Sequence, residues 1–247
     1  MSQGPTTISN SLFENNSGGS AGALFLLGET VKATITGSTL QNNATSSSEY
    51  GYGGAIAAWF GADVTISDSR LLHNQARYGG ALYNESKDAD IVLDEGTIVA
   101  ENAATLSGGG IFNSYGKLTL TGITLKDNSA AEDGGGLEVG WSGSASLTDV
   151  TLEGNTAGAD GGGANSSGGA ATFLRTTFIH NDAGSNGGGF SLSQLGTALL
   201  TESLMTENSA NQGGGFSNSN ATLTLQQSTV SHNSAVANGG GIFNKGV

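Results

Sequence analysis

Near the C-terminal end, His180, Glu207 and His232 each stand directly before an Asn, in three consecutive copies of one pattern. Imidazole and carboxylate are metal-ligating groups, so stacking the three would make a candidate cation site; exposed turn residues are the alternative. A second set, Asp133, Asp160 and Asn186, stands directly before three consecutive glycine triplets. Ca²⁺ takes oxygen ligands and could bridge the carboxylates of Asp133 and Asp160; solvated turn acids are the alternative there. No metal or other cofactor is expected, with Ca²⁺ at Asp133 and Asp160 as the alternative. Cleaving a polysaccharide would need clustered carboxylates with a basic residue or metal beside them. The basic residues Lys32, Lys87, Lys117, Lys126, Lys245, Arg70, Arg77 and Arg175 are scattered and do not converge. No catalytic residue is therefore assigned, and the chain is expected not to be an enzyme.

Composition narrows the partners. The chain has 247 residues, 42 of them Gly, with 1 Pro and no Cys. Without Cys there is no disulfide scaffold, no thiolate zinc site and no thiol catalysis. Lys and Arg number 8 against 21 Asp and Glu, for a net charge of -13. Nucleic acid, which requires a basic stripe, is excluded as a partner. No apolar run approaches a membrane span, so this segment is not expected to insert in a bilayer. Residues Met1–Thr7 have neither a basic nor an apolar stretch, which predicts a trimmed segment or export by another route.

The elements that must position these residues come from a repeat. An apolar residue three before an Asn occurs nine times, ending at Asn16, Asn43, Asn74, Asn102, Asn128, Asn155, Asn181, Asn208 and Asn233. A Gly-Gly-(Gly/Ala)-apolar run follows in phase, reaching Ile56, Leu82, Ile111, Leu137, Ala164, Phe190, Phe216 and Ile242, with a degenerate copy at Leu24. Eight residues before the Asn lies another apolar position, flanked by Thr and Ser; only the fourth copy slips, to Leu93, which predicts a bulge. Apolar–hydroxyl alternation in short runs bounded by Gly and Asn reads as half-buried strand. A copy of about 26 residues cannot bury its apolar face alone, whereas stacked copies can.

The predicted fold is all-β: a right-handed parallel β-helix of nine coils with three short strands per coil. It is expected to form a single domain over residues 1–247, itself a segment of a longer solenoid. The nine Asn side chains should form a ladder between coils, because buried amides must be satisfied. A small-residue column should follow two positions later, from Ala76 and Ala104 to Ala210 and Ala235.

Two motifs add a resemblance. Phe13-Glu14-Asn15-Asn16 and Phe178-Ile179-His180-Asn181 fit FxxN, and Gly53-Gly54-Ala55-Ile56 and Gly79-Gly80-Ala81-Leu82 fit GGA(I/L/V). The pair resembles the repeats of chlamydial polymorphic outer-membrane proteins, and the relaxed Gly110-Ile111-Phe112-Asn113 form is similar to Gly-rich β-helices of bacterial surface proteins. The resemblance implies an autotransporter-passenger-like β-helix with an adhesin-like role at the cell surface or outside the cell. A host or neighbouring-cell glycan or protein would be its partner.

Two surfaces could carry such a role. Tyr52, Trp59, Phe60, Tyr78, Tyr115 and Trp141 could contact sugar rings or another protein, or merely cover the core at turns. Thr34, Thr36, Thr65, Thr119, Thr121 and Thr148 belong to two outward hydroxyl columns that could order water, making an ice-binding protein the alternative; plain strand propensity also explains them. A polysaccharide-binding or -degrading β-helix ranks third. Open coil ends further predict end-to-end self-association.

Overall fold

The computed structural model describes residues 4–47, 49–140 and 142–246. Among the described residues it is a β-solenoid without helix: four parallel sheets of nine strands run the length of the molecule, each sheet taking every fourth strand in order. The fifth coil is representative. Its strands are Lys117–Thr121, Thr124–Lys126, Ser129–Ala130 and Leu137–Val139.

Alternation decides what faces inward. Leu118 and Leu120 are buried while Lys117, Thr119 and Thr121 point outward, and they stack on Ala145 and Leu147 of the next coil. The columns Ile35–Ile66–Leu93–Leu120–Leu147–Phe173–Leu200 and Leu40–Leu71–Val99–Leu125–Leu152–Phe178–Met205 are at most 1% exposed. Where the third apolar column shrinks to Ala164, Phe173, Phe178 and Phe190 fill the space, with ring centroids 4.9–6.3 Å apart. The large side chains of one coil thus offset the small one of its neighbour.

The corners depend on left-handed backbone. The residue before each ladder Asn has φ between 51° and 64°, whether it is Asn, Asp, Gly, His or Glu. The first glycine of each triplet also has positive φ, and the chain there doubles back tightly. A Cβ on Gly161 would lie 2.2 Å from the carbonyl oxygen of Ala164. Only glycine meets both conditions.

Two expectations are corrected. A coil carries four strands, not three. The left-handed residue before each Asn cuts the chain, leaving two-residue strands such as Ser129–Ala130 as a sheet of their own. Leu93 is not at a bulge: it pairs in unbroken register with Ile66 and Leu120. The extra residue of that copy sits in the following corner, where Thr97 N–H closes a turn on Asp94 and Gly96 takes φ 77°. Register shifts occur instead in the third sheet, at Ala183/Asn186 and Ala210/Gln212.

Candidate functional site

The Asn column is a continuous hydrogen-bonded ladder. Asn128 Oδ1 accepts from the backbone N–H and the Nδ2 of Asn102, at 3.1 and 2.9 Å. Its own Nδ2 donates to Val99 O and to Asn155 Oδ1, at 2.9 and 3.0 Å. Every hydrogen-bonding group of the amide is thus used, and the pattern repeats from Asn43 to Asn208. This column is scaffold and offers nothing to a ligand. A second, interrupted ladder lies five residues before the Asn: Ser69, Ser203 and Ser228 hydroxyls accept backbone N–H groups of Ser38, Thr176 and Ser203.

The ionisable columns form rungs between neighbouring coils. His180 bonds Glu207, and His73 approaches Glu101 at 3.4 Å. Lys32 pairs with Asp63, Lys126 with Glu153, and Arg175 holds Asp149 through two nitrogens. That contact lowers the Asp149 carboxyl below its ordinary range. Asp133 Oδ1 accepts from Asp160 N, and Asp160 Oδ1 accepts from the backbone and side-chain nitrogens of Asn186. Burial pushes both carboxyls up. Among the described residues no group of three or more His, Asp or Glu side chains is placed to hold a metal ion.

The aromatic residues divide into two groups. Tyr52, Trp59 and Tyr78 are packed: the two tyrosines stack at 5.8 Å, Trp59 meets Tyr52 edge-on at 5.2 Å, and Tyr83 and Phe112 continue the cluster. Burial raises the Tyr83 hydroxyl far above its ordinary value, against an opposing hydrogen bond from Ser114. Trp141 lies outside the described residues.

Phe60 and Tyr115 behave differently. They are 61% and 45% exposed and face a cleft of about 300 Å³, shared with Glu29, Glu85, Ser86, Lys87 and Asp88. Local backbone explains the placement. Phe60 ends the strand Ile56–Trp59 with φ 53°, a left-handed conformation that is an outlier for a bulky residue, and Gly61 follows at φ 85°. Tyr115 occupies the same corner two coils on, after Ile111–Asn113. Two coil heights, roughly 10 Å, separate them along the axis. The Glu85–Asp88 loop of the intervening coil forms the floor. Glu85 is raised by burial, and among the described residues no cation lies within ion-pair distance of it. The corner has no repeat signature, so sequence reasoning found its aromatics but not the loop that completes it.

The hydroxyl columns are in register. Thr34 pairs with Thr65, Thr36 with Ser67, Thr119 with Ser146, and Thr121 with Thr148. Val92, Leu174 and Leu199 interrupt the face. A charged column, Lys32–Asp63 then Asp90–Lys117, borders it.

Four stacked parallel sheets and a continuous Asn ladder define a parallel β-helix. Comparison with known families agrees: the model for the right handed beta helix region matches residues 2–157, more than half of the chain, and the chain belongs to that family. No curated protein and no solved structure matches it. Among the described residues no helix is long and apolar enough to cross a membrane.

Proposed function

We propose that the chain is a non-enzymatic extracellular or cell-surface β-helix, an adhesin or stalk segment, that binds a surface glycan in the cleft between Phe60 and Tyr115. The exposed pair of rings carries the proposal. Phe60 touches Trp59, with ring centroids 6.2 Å apart, yet 61% of it and 45% of Tyr115 stay in water, and left-handed backbone holds Phe60 there. Aromatic faces suit the apolar faces of a sugar ring, and the unpaired carboxylates of Glu29, Glu85 and Asp88 can accept its hydroxyl protons. The FxxN and GGA(I/L) repeats, which resemble those of chlamydial surface proteins, support the same role. A glycan array probed with the parent chain and with the double variant Phe60→Ala, Tyr115→Ala tests it. Truncating aromatic anchors costs about 2 kcal/mol or more at a contact, so at least tenfold weaker binding is expected. Unchanged binding by the double variant would exclude this cleft.

The in-register hydroxyl columns favour a second role, ordering water as an ice-binding face. It predicts thermal hysteresis in the parent chain, abolished by Thr119→Tyr with Thr121→Tyr at an unchanged melting point. Absence of hysteresis at high protein concentration removes it.

A further inference from the structure

Glu138 stands on the outward side of the fourth sheet, between Phe112 of the coil before and Asn165 of the coil after. An outward position should be wet, yet Glu138 is only 4% exposed and Asn165 only 3%. The glycine triplets explain this by folding over the column. A Cβ on Gly134 would lie 2.9 Å from Glu138 Cα, and one on Gly161 would lie 2.7 Å from Asn165 Cβ. A carboxyl side chain is thereby sealed between two coils.

Its hydrogen bonding is incomplete as a carboxylate. Asn165 Nδ2 sits 3.1 and 2.9 Å from the two carboxyl oxygens, so one nitrogen serves both. The Asn165 Oδ1 is buried and has no partner. The charged groups acting on Glu138 are Asp133 and Asp160, both acids on the covering glycine segments; Phe112 and Asn165 flank it within the sheet. Burial, the largest influence on Glu138, pushes its carboxyl well above the ordinary range, and both aspartates act in the same direction. An ionised carboxyl here would be a buried charge without a counter-charge, the costliest arrangement in a protein interior.

One proton resolves both defects. Rotating the Asn165 amide about its terminal bond brings Oδ1 opposite a protonated Oε, while Nδ2 still donates to the other oxygen. We infer that Glu138 is an un-ionised carboxylic acid at neutral pH, joined to the Asn165 amide by two reciprocal hydrogen bonds that fasten the fifth coil to the sixth. The junction is a proton-dependent clasp that alkali opens. An unfolded Glu ionises near about 4.3 and this one higher, so unfolding releases a proton above that value. The clasp therefore stabilises fully below the unfolded value, and its contribution is lost as pH rises through the folded one. Across that interval the unfolding constant grows by up to tenfold per pH unit from this group.

The test compares the parent chain with Glu138→Gln, whose amide keeps the shape but cannot ionise. Denaturant midpoints from about pH 5 to pH 9 should fall with pH more steeply in the parent than in E138Q. Asp133 and Asp160 titrate in both proteins and cancel in the difference. Carboxyl ¹³C NMR of the Glu-labelled parent, which requires no variant to fold, should show one glutamate un-ionised at neutral pH. Parallel midpoint profiles, or a fully ionised set of glutamates at neutral pH, would overturn the inference. So would added Ca²⁺ raising the parent's melting temperature and not that of E138Q, because Glu138 would then be an ionised cation ligand.

Discussion

Replacing Asn128 with Ala probes the ladder at its most completely bonded point. The substitution removes one acceptor that serves two donors and one nitrogen that serves two acceptors. Asn155 Oδ1 keeps the backbone N–H of residue 128, and Asn102 Nδ2 keeps Leu71 O. Stranded in the interior are the Asn102 backbone N–H, one Asn102 amide hydrogen and a lone pair of Val99 O. Each buried unsatisfied group costs about 1–3 kcal/mol, and carbonyls tolerate under-satisfaction better than N–H groups. The two donors dominate, giving about 2–6 kcal/mol. Asn16→Ala makes the comparison: Asn16 is exposed, and Asn43 Oδ1 would still accept its backbone N–H. Its loss should cost under about 1 kcal/mol. Because solenoids need not unfold in one step, denaturation should be read alongside amide exchange at Asn102. Equal destabilisation by the two substitutions, or undiminished protection of the Asn102 amide in Asn128→Ala, would refute the reasoning.

Two further substitutions test the scaffold. Gly161→Ala forces a side chain into φ 71° and against the Ala164 carbonyl, so it should destabilise by at least about 2 kcal/mol, while Gly19→Ala, whose Cβ meets nothing within 4 Å, should be nearly silent; denaturant midpoints compare them. Phe190→Ala opens a hole among Phe173, Phe178 and Phe216 and should cost about 3–5 kcal/mol by the same assay.

Much of the scaffold could be read from residues because a solenoid writes each structural position once per copy. The Asn column, the Gly-Gly-(Gly/Ala) runs and the apolar positions recur nine, eight and eight or nine times, so periodicity exposes them. The Ser/Thr ladder is less regular: Ser11, Ser38, Ser69, Thr97, Thr176, Ser203 and Ser228 hold its position, but Ile123 and Val150 fill two places with buried apolar groups and blur the signal. The third sheet escaped because two-residue strands, which make up most of it, show no alternation. The burial of Glu138 escaped because period-two patterning assigns it to solvent, whereas a remote consequence of the glycine triplets covers it. The cleft escaped for the opposite reason. Phe60, the Glu85–Asp88 loop and Tyr115 come from three coils at a corner where length and residue type vary, so no repeat announces it.

The central claim is that the cleft binds a glycan without cleaving it. The most direct test incubates the chain with mixed polysaccharides while following binding and the release of new reducing or unsaturated ends. The account predicts saturable binding that Phe60→Ala with Tyr115→Ala abolishes, and no product above a protein-free control. Product release that disappears in Glu85→Gln or Glu29→Gln would contradict it and make this cleft an active site.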